Sequence, residues 1–525
     1  MSALFDAIVV GSGPSGAWAA DALVRGGAKT LLLDAGHVAP PSVDVPEEDF
    51  EALRRRDPDQ RRYLLGDAFE CVSFDNVRTG GQVTAPRRWV GALAPEATPI
   101  RSSTFRAMEG LAWGGLGAAW AAVAVPFDDH DLASAPLRRA DLAEDLRAVC
   151  DRIGVSAGQD ALTEALGDPG GLMPPLPSSP GTDAMLERYR RKQASLLGRG
   201  LVVGRPWLAA LSEDRDGRRK HPLLDLDFYA DVGRSVWRPP ILLEALPELA
   251  TERGLLVERF IQEADGVLRV EARATEGRRR RVFRTRRLIL AAGALGSARI
   301  ALRSLDPDAS LPLACNRLRY APCLDLRQLG RVHRGPRHSL SQALMLYRPP
   351  GQGAAVFAQV HAYRSLLLWK LVRESFLAAR ESRKLLLELN PAMTVLSMYQ
   401  GHRPSDGQRL RLVDDVLHVD FPADPGADAR AVANEDAFLA LVRRLGWLPL
   451  RRVQAEAGAS IHYAGTLAMS VDDRPLTTAP DGRLRGTSGV YVVDGSVLPE
   501  LPAKPLTLTC MANARRVGRG VASGL

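Results

Sequence analysis

Gly11-Ser12-Gly13-Pro14-Ser15-Gly16 and Asp34 are the first residues of this chain whose types and spacing imply a chemistry. They form the pattern GxGxxG with an acid about 20 residues on. Gly11 permits a tight turn, and Gly13 lets the backbone approach a pyrophosphate at a helix N-terminus. Gly16 lets helix and strand pack closely. Asp34 can accept hydrogen bonds from a ribose diol, which favours an unphosphorylated adenosine ribose. The pattern therefore implies an ADP-containing cofactor, and by itself it does not separate FAD from NAD. Pro14, Ser15 and Ala35 join the expected cofactor set. Two further blocks stand far along the chain: Ile461-His462-Tyr463-Ala464-Gly465-Thr466 and Val492-Val493-Asp494-Gly495-Ser496, followed by Lys504-Pro505. An imidazole titrates near neutral pH, so a histidine suits proton transfer.

The elements that must position these residues are readable in outline. Phe5–Val10 is a β-branched run expected of a buried parallel strand. An alanine-rich helical stretch from Ala17 to Arg25 and a second strand, Thr30–Leu33, complete the nucleotide-binding unit. From Gly36 to about Ser102 the chain is polar and irregular. Trp113 to Trp120 is rich in glycine and tryptophan, a helix is expected over Asp141–Ile153, and Gly167–Gly181 reads as a loop. Leu255–Ala274 alternates as strands do, and Arg278–Arg281 reads as a solvated hairpin turn. Leu288–Arg299 is another buried strand running through small residues into a helix. From about Asp306 the pattern changes, and segments such as Leu410–Phe421 imply an antiparallel sheet. The fold class expected is α/β, a Rossmann-like cofactor-binding domain with an inserted α+β substrate domain built on an antiparallel sheet. The boundaries expected are 1–165, 241–305 and 465–525 for the cofactor domain. Connecting and substrate segments take 166–240, and the substrate domain takes 306–464.

Composition bounds the rest. The chain has 525 residues, 46% hydrophobic and 25% charged, enough for more than one domain's core. The net charge of +8 comes mostly from arginines spread along the chain, which implies a solvated surface and no nucleic-acid partner. Five cysteines lie at wide spacing with no CxxC pair, which argues against a disulfide framework and a metal site. A cytoplasmic location is expected, without a signal peptide or a membrane span. Leu366, Trp369, Val372, Phe376 and Ala379 recur at helical spacing, with Lys370, Arg373, Arg380 and Lys384 on other faces. A basic amphipathic helix over 363–389 either packs on its own domain or touches a membrane surface or lipid-linked substrate.

Four blocks in order resemble the glucose–methanol–choline (GMC) oxidoreductases, which are FAD-dependent alcohol oxidases and dehydrogenases. They are Gly11–Gly16 with Asp34, Ala291–Ser297, His462–Met469 and Val492–Ser496. The likeness fades across the inserted domain. It implies non-covalent FAD, held also by Gly114, Gly115, Val257, Ala292, Gly293, Asp494 and Gly495. Gly117 and Ala118 stand where such proteins usually carry Ser and Asn, so less polar contact with the flavin is expected there. By the same resemblance His462 is the base that takes the hydroxyl proton of a small-molecule alcohol, sugar-containing or similarly polar, as hydride passes to flavin N5. The electron acceptor stays open. Such proteins pair this base with a second His or Asn about forty residues later. Here one alignment puts Lys504 at that position, and another puts Pro505 there. The departure keeps two alternatives in play: non-oxidative lyase- or isomerase-type chemistry with retained FAD, and a non-catalytic flavin-binding protein.

Overall fold

The computed structural model describes residues 3–38, 48–57, 87–227, 232–277, 279–331, 335–362 and 377–525. Strand β1 (Leu4–Val10), helix α1 (Pro14–Arg25) and strand β2 (Thr30–Leu33) open the chain as a β–α–β unit. β1 lies between β2 and the long strand Arg280–Leu290, parallel to both. Ala250–Glu252 extends the parallel order beyond β2, and Val490–Val492 pairs with the end of the long strand. The central segments Ala7–Val10, Thr30–Leu33 and Leu288–Leu290 are continuous buried runs. Ala7 to Val9, Leu32, Leu33 and Leu288 to Leu290 are wholly buried. Leu255–Gln262 and Leu268–Ala274 add an antiparallel hairpin to the same sheet.

The expected turn over Arg278–Arg281 is displaced. Strand Arg280–Leu290 begins at Arg280, so Arg280 and Arg281 are strand residues paired with Arg273 and Ala272. Carboxylates explain how arginines sit in a ladder: Arg281 pairs with Glu252 at 2.7 Å and Arg280 with Glu258 at 3.5 Å. Arg278 lies outside the described residues.

A second seven-stranded sheet is antiparallel. Its order runs Leu448–Pro449, Arg317–Leu324, Met393–Gln400, Val356–Ala362, Ala343–Tyr347 and Leu201–Gly204, with Val453–Gln454 also on Arg317–Leu324. The alternating stretch at Leu410–Phe421 is not part of it. Arg409–Val413 and Val416–Asp420 form a hairpin in a small separate sheet with Ser310–Pro312 and Ile100–Arg101. Asp414 and Asp415 make its two-residue turn, both at positive φ (48° and 64°), as the twist of a tight hairpin requires.

Helices Pro180–Leu197 and Pro425–Arg444 were not foreseen; each opens with proline in its first turn after a Ser or Asp cap. Helix Thr507–Ser523 packs on α1, where a Cβ on Gly518 would lie 2.8 Å from the Cβ of Ala22. Most of the expected basic helix, 363–376, lies outside the described residues, and a helix spans Ala379–Leu389. Among the described residues no helix is long and apolar enough to cross a membrane.

Candidate active site

One elongated cavity runs from the end of β1 and the start of α1 to the face of the antiparallel sheet. At its first end, Gly11 (φ 102°) turns the chain where a Cβ would lie 2.5 Å from the carbonyl oxygen of Ala291. A Cβ on Gly16 would lie 1.8 Å from the Gly11 oxygen, so this glycine serves helix packing and does not line the cavity. Gly13 differs: its Cβ would meet nothing nearer than the Gly114 oxygen at 4.0 Å, leaving open space beside the first turn of α1. Asp34 is buried, and the N–H groups of Ser12 and Gly36 donate to its two carboxylate oxygens at 2.7 and 2.6 Å. Burial pushes this carboxyl up to about 6, against the pull of those hydrogen bonds.

The rest of the expected cofactor set falls around the same space. Pro14, Ser15, Ala35, Gly115, Val257, Ala292, Gly293, Asp494 and Gly495 line it. Gly114 does not: it packs on Pro240, and its N–H donates to Ser12 Oγ at 2.8 Å. Asp494 is already occupied within the chain. Its carboxylate accepts from Ser297 Oγ at 2.5 Å and from the Ser496 N–H at 2.9 Å, tying the 291–297 turn to the 494–496 turn. Gly117 lines the cavity and Ala118 does not; His130 is exposed and lies off it. An ADP-type group fits these residues. The backbone is bare at Gly13, the helix N-terminus faces the space, and Asp34 is held with carboxylate lone pairs to spare.

The other end is assembled from distant segments. His462 is half-buried, stacked on Tyr399 with ring centroids 5.3 Å apart. Burial lowers its imidazole to about 4, so it is neutral at neutral pH. The residue before it, Ile461, has φ 62°, a left-handed conformation that a β-branched side chain resists. A two-residue antiparallel pairing, Ala314 with Ala464 and Cys315 with Tyr463, sets the next pair as Asn316 and His462. Asn316 Oδ1 stands 3.0 Å from His462 Nδ1, and its Nδ2 donates to the carbonyls of Gln400 (2.9 Å) and Pro502 (2.7 Å). Gln359 and Tyr399 on neighbouring strands, together with Trp120, Pro505 and Thr507, complete this end.

Lys504 stands elsewhere, contrary to its expected place opposite His462. It is wholly buried off the cavity, with Nζ 2.5 Å from Asp131 and 2.9 Å from Asp128. Arg348 also reaches Asp128, at 2.6 Å. Burial alone would raise the Asp128 carboxyl; Lys504 and Arg348 instead hold it well below the usual carboxylate range. In Asp131 burial prevails over Lys504, and its carboxyl is raised. A cation so enclosed is spent on two carboxylates. Pro505 lines the cavity in its stead, with no side-chain donor and no N–H.

Sequence reasoning missed Asn316, Gln359 and Tyr399. Each acts through sheet register, which leaves no local signal. Comparison with known proteins bears on the family and the fold. Residues 413–514 match the family model described as GMC oxidoreductase. The chain is 26% identical to paromamine 6'-oxidase from Streptomyces fradiae over 564 positions, covering 99% of this chain and 92% of that protein. The solved structure of pyridoxine 4-oxidase from Mesorbium loti is similar in fold, with a TM-score of 0.56 at 19% identity over 98% of each chain.

Proposed function

We propose that this chain is a GMC oxidoreductase, as its likeness to that family's model over residues 413–514 and to paromamine 6'-oxidase supports, and that it oxidises a CH–OH group on a sugar-like or similarly polar small molecule, using non-covalent FAD. The observation that carries this reading is a neutral imidazole, His462, at the far end of a cavity whose near end suits an ADP-type group. When bound there, FAD supplies the hydride acceptor of alcohol oxidation. Gly13, the start of α1 and Asp34 hold the adenosine diphosphate portion. His462 takes the hydroxyl proton, a role its neutral form permits at neutral pH. Pro505 and Trp120 shape the walls of the catalytic end.

Polarity of the substrate is supported by Gln359. It is 6% exposed, it lines the cavity, and its side-chain amide makes no hydrogen bond among the described residues. An amide facing the cavity offers both a donor and an acceptor, so a hydroxylated or aminated substrate that pairs with it gains affinity and selectivity. The two named relatives act, by their names, on paromamine and on pyridoxine. The parallel-sheet unit is taken as the cofactor domain and the antiparallel sheet as the substrate domain.

The test is anaerobic. Purified protein carrying flavin is mixed with paromamine, pyridoxine and a panel of polyols, and the visible flavin band is followed. Bleaching by at least one polar primary alcohol is expected. A flavin that binds and never bleaches would favour the non-oxidative reading, to which the lack of a side-chain donor on Pro505 also points.

A further inference from the structure

We infer that Asn316 is the positioning residue that decides which nitrogen of His462 accepts the proton, leaving Nε2 bare and Nδ1 protonated. The inference rests on the reading of His462 as the base.

The argument is one of donors and acceptors. Asn316 is 3% exposed, so bulk water does not supply its partners. Its amide has two N–H bonds and one carbonyl. Two backbone carbonyls, of Gln400 at 2.9 Å and Pro502 at 2.7 Å, stand on one side of it. Carbonyls only accept, so that side must be the NH₂ group. Flipping the amide would set an oxygen against two oxygens and bury both N–H bonds toward the imidazole. The carbonyl oxygen Oδ1 therefore faces His462 Nδ1 at 3.0 Å. An acceptor opposite Nδ1 requires a proton on Nδ1. A neutral imidazole has only one, so the lone pair lies on Nε2.

Three segments are needed for this. Asn316 leads into strand Arg317–Leu324, Gln400 ends strand Met393–Gln400, and Pro502 stands three residues before Pro505. Stacking on Tyr399 limits how the His462 ring can turn. When a substrate hydroxyl gives its proton to Nε2, the imidazolium carries two N–H bonds, and the one on Nδ1 still has Asn316 Oδ1 as its acceptor. The base is thus oriented before the step and stabilised after it, without a carboxylate.

The surrounding titratable groups do not interfere with a pH readout near neutrality. Burial pushes the Cys315 thiol up to about 11, and burial raises the Tyr320 hydroxyl well above its ordinary value. Burial lowers His402 to about 4. Arg317, beside Asn316, is turned to Asp428.

The experiment has two arms. In the first, protein labelled with ¹⁵N at histidine is compared with His462→Gln at pH 7, and the missing signals identify His462. Wild type is expected to show a protonated Nδ1 and an unprotonated Nε2; a protonated Nε2 overturns the inference whatever the substrate proves to be. In the second arm, Asn316→Leu is expected to slow flavin reduction by paromamine or pyridoxine about 10-fold or more, with a much smaller change in the half-saturating concentration. Asn316→Asp keeps an acceptor toward Nδ1 but replaces the NH₂ group with an oxygen facing two carbonyls, so that side must hold a proton to make a hydrogen bond. It is expected to recover part of the rate lost in Asn316→Leu. If both variants keep wild-type rates while His462→Ala is slow, the inference fails. If His462→Ala itself keeps the wild-type rate, the reading of the base fails, and the labelled spectrum still judges Asn316.

Discussion

The two ends of the cavity are built by different means. The proposed cofactor end is made of backbone: glycines at Gly11 and Gly13, the start of α1, and one carboxylate fixed by two N–H groups. The proposed catalytic end is made of side chains, His462, Asn316, Tyr399 and Gln359, delivered by four segments of the chain. Backbone recognition tolerates changes in nearby side chains but not an added Cβ. Side-chain assembly tolerates changes in each strand's sequence but not a slip of register. Binding and turnover can therefore be damaged separately.

Buried charge sharpens the comparison most. Lys504 lies one residue from the catalytic wall yet belongs to the framework, so Lys504→Met is expected to cost about 3–5 kcal/mol of stability in urea unfolding by stranding Asp128 and Asp131. The rate of flavin reduction in the folded fraction should change little. Loss of reduction at unchanged stability would put Lys504 at the substrate and break the division. Next, His462→Ala is expected to retain bound flavin while reduction slows at least about 100-fold, the scale of a general base. At the other end, Asp34→Ala is expected to weaken flavin binding by about 1.5–3 kcal/mol, as for a hydrogen bond to a charged group. Once reloaded with flavin, that variant should be reduced at close to the wild-type rate.

The two ends also differ in acid. Burial pushes the Asp34 carboxyl up to about 6 and the His462 imidazole down to about 4. A carboxylate accepts from a ribose diol and its protonated form accepts less well, so flavin affinity is expected to fall as pH drops through about 6. His462 stays neutral until pH approaches 4, so reduction of protein that still holds flavin should survive further into acid. Equilibrium dialysis of flavin and stopped-flow reduction, both between pH 4 and 8, measure the two limbs. Coincident limbs would merge the two ends into one titrating unit.

How much could be read from the sequence follows the same line. The β1–α1–β2 unit and Asp34 lie within about thirty residues, and their physics is local: turn, cap, packing and one acid. The same holds for the His462 block and the 494–496 turn. The partner of His462 could not be read, because Asn316 is 146 residues away and meets it only through a two-residue strand pairing. The choice between Lys504 and Pro505 could not be read for a related reason. Whether Lys504 faces the substrate or the interior depends on Asp128, 376 residues earlier, and on Asp131, and no local pattern encodes that direction. The alternation at Leu410–Phe421 correctly implied strands but carried no information on which sheet they join.

Helix Thr507–Ser523 packs on α1, and Pro502 holds the amide that orients His462. A growing chain emerging from the ribosome can therefore fold β1 and α1 early, but it can complete neither the bed of α1 nor the base until residues beyond 500 have emerged. Every ribosome-bound intermediate shorter than this leaves the alanine-rich face of α1 without its partner helix. A chain lacking Pro502 and the residues after it would keep the glycine motif but lose the carbonyl that holds Asn316 and the helix that packs on α1.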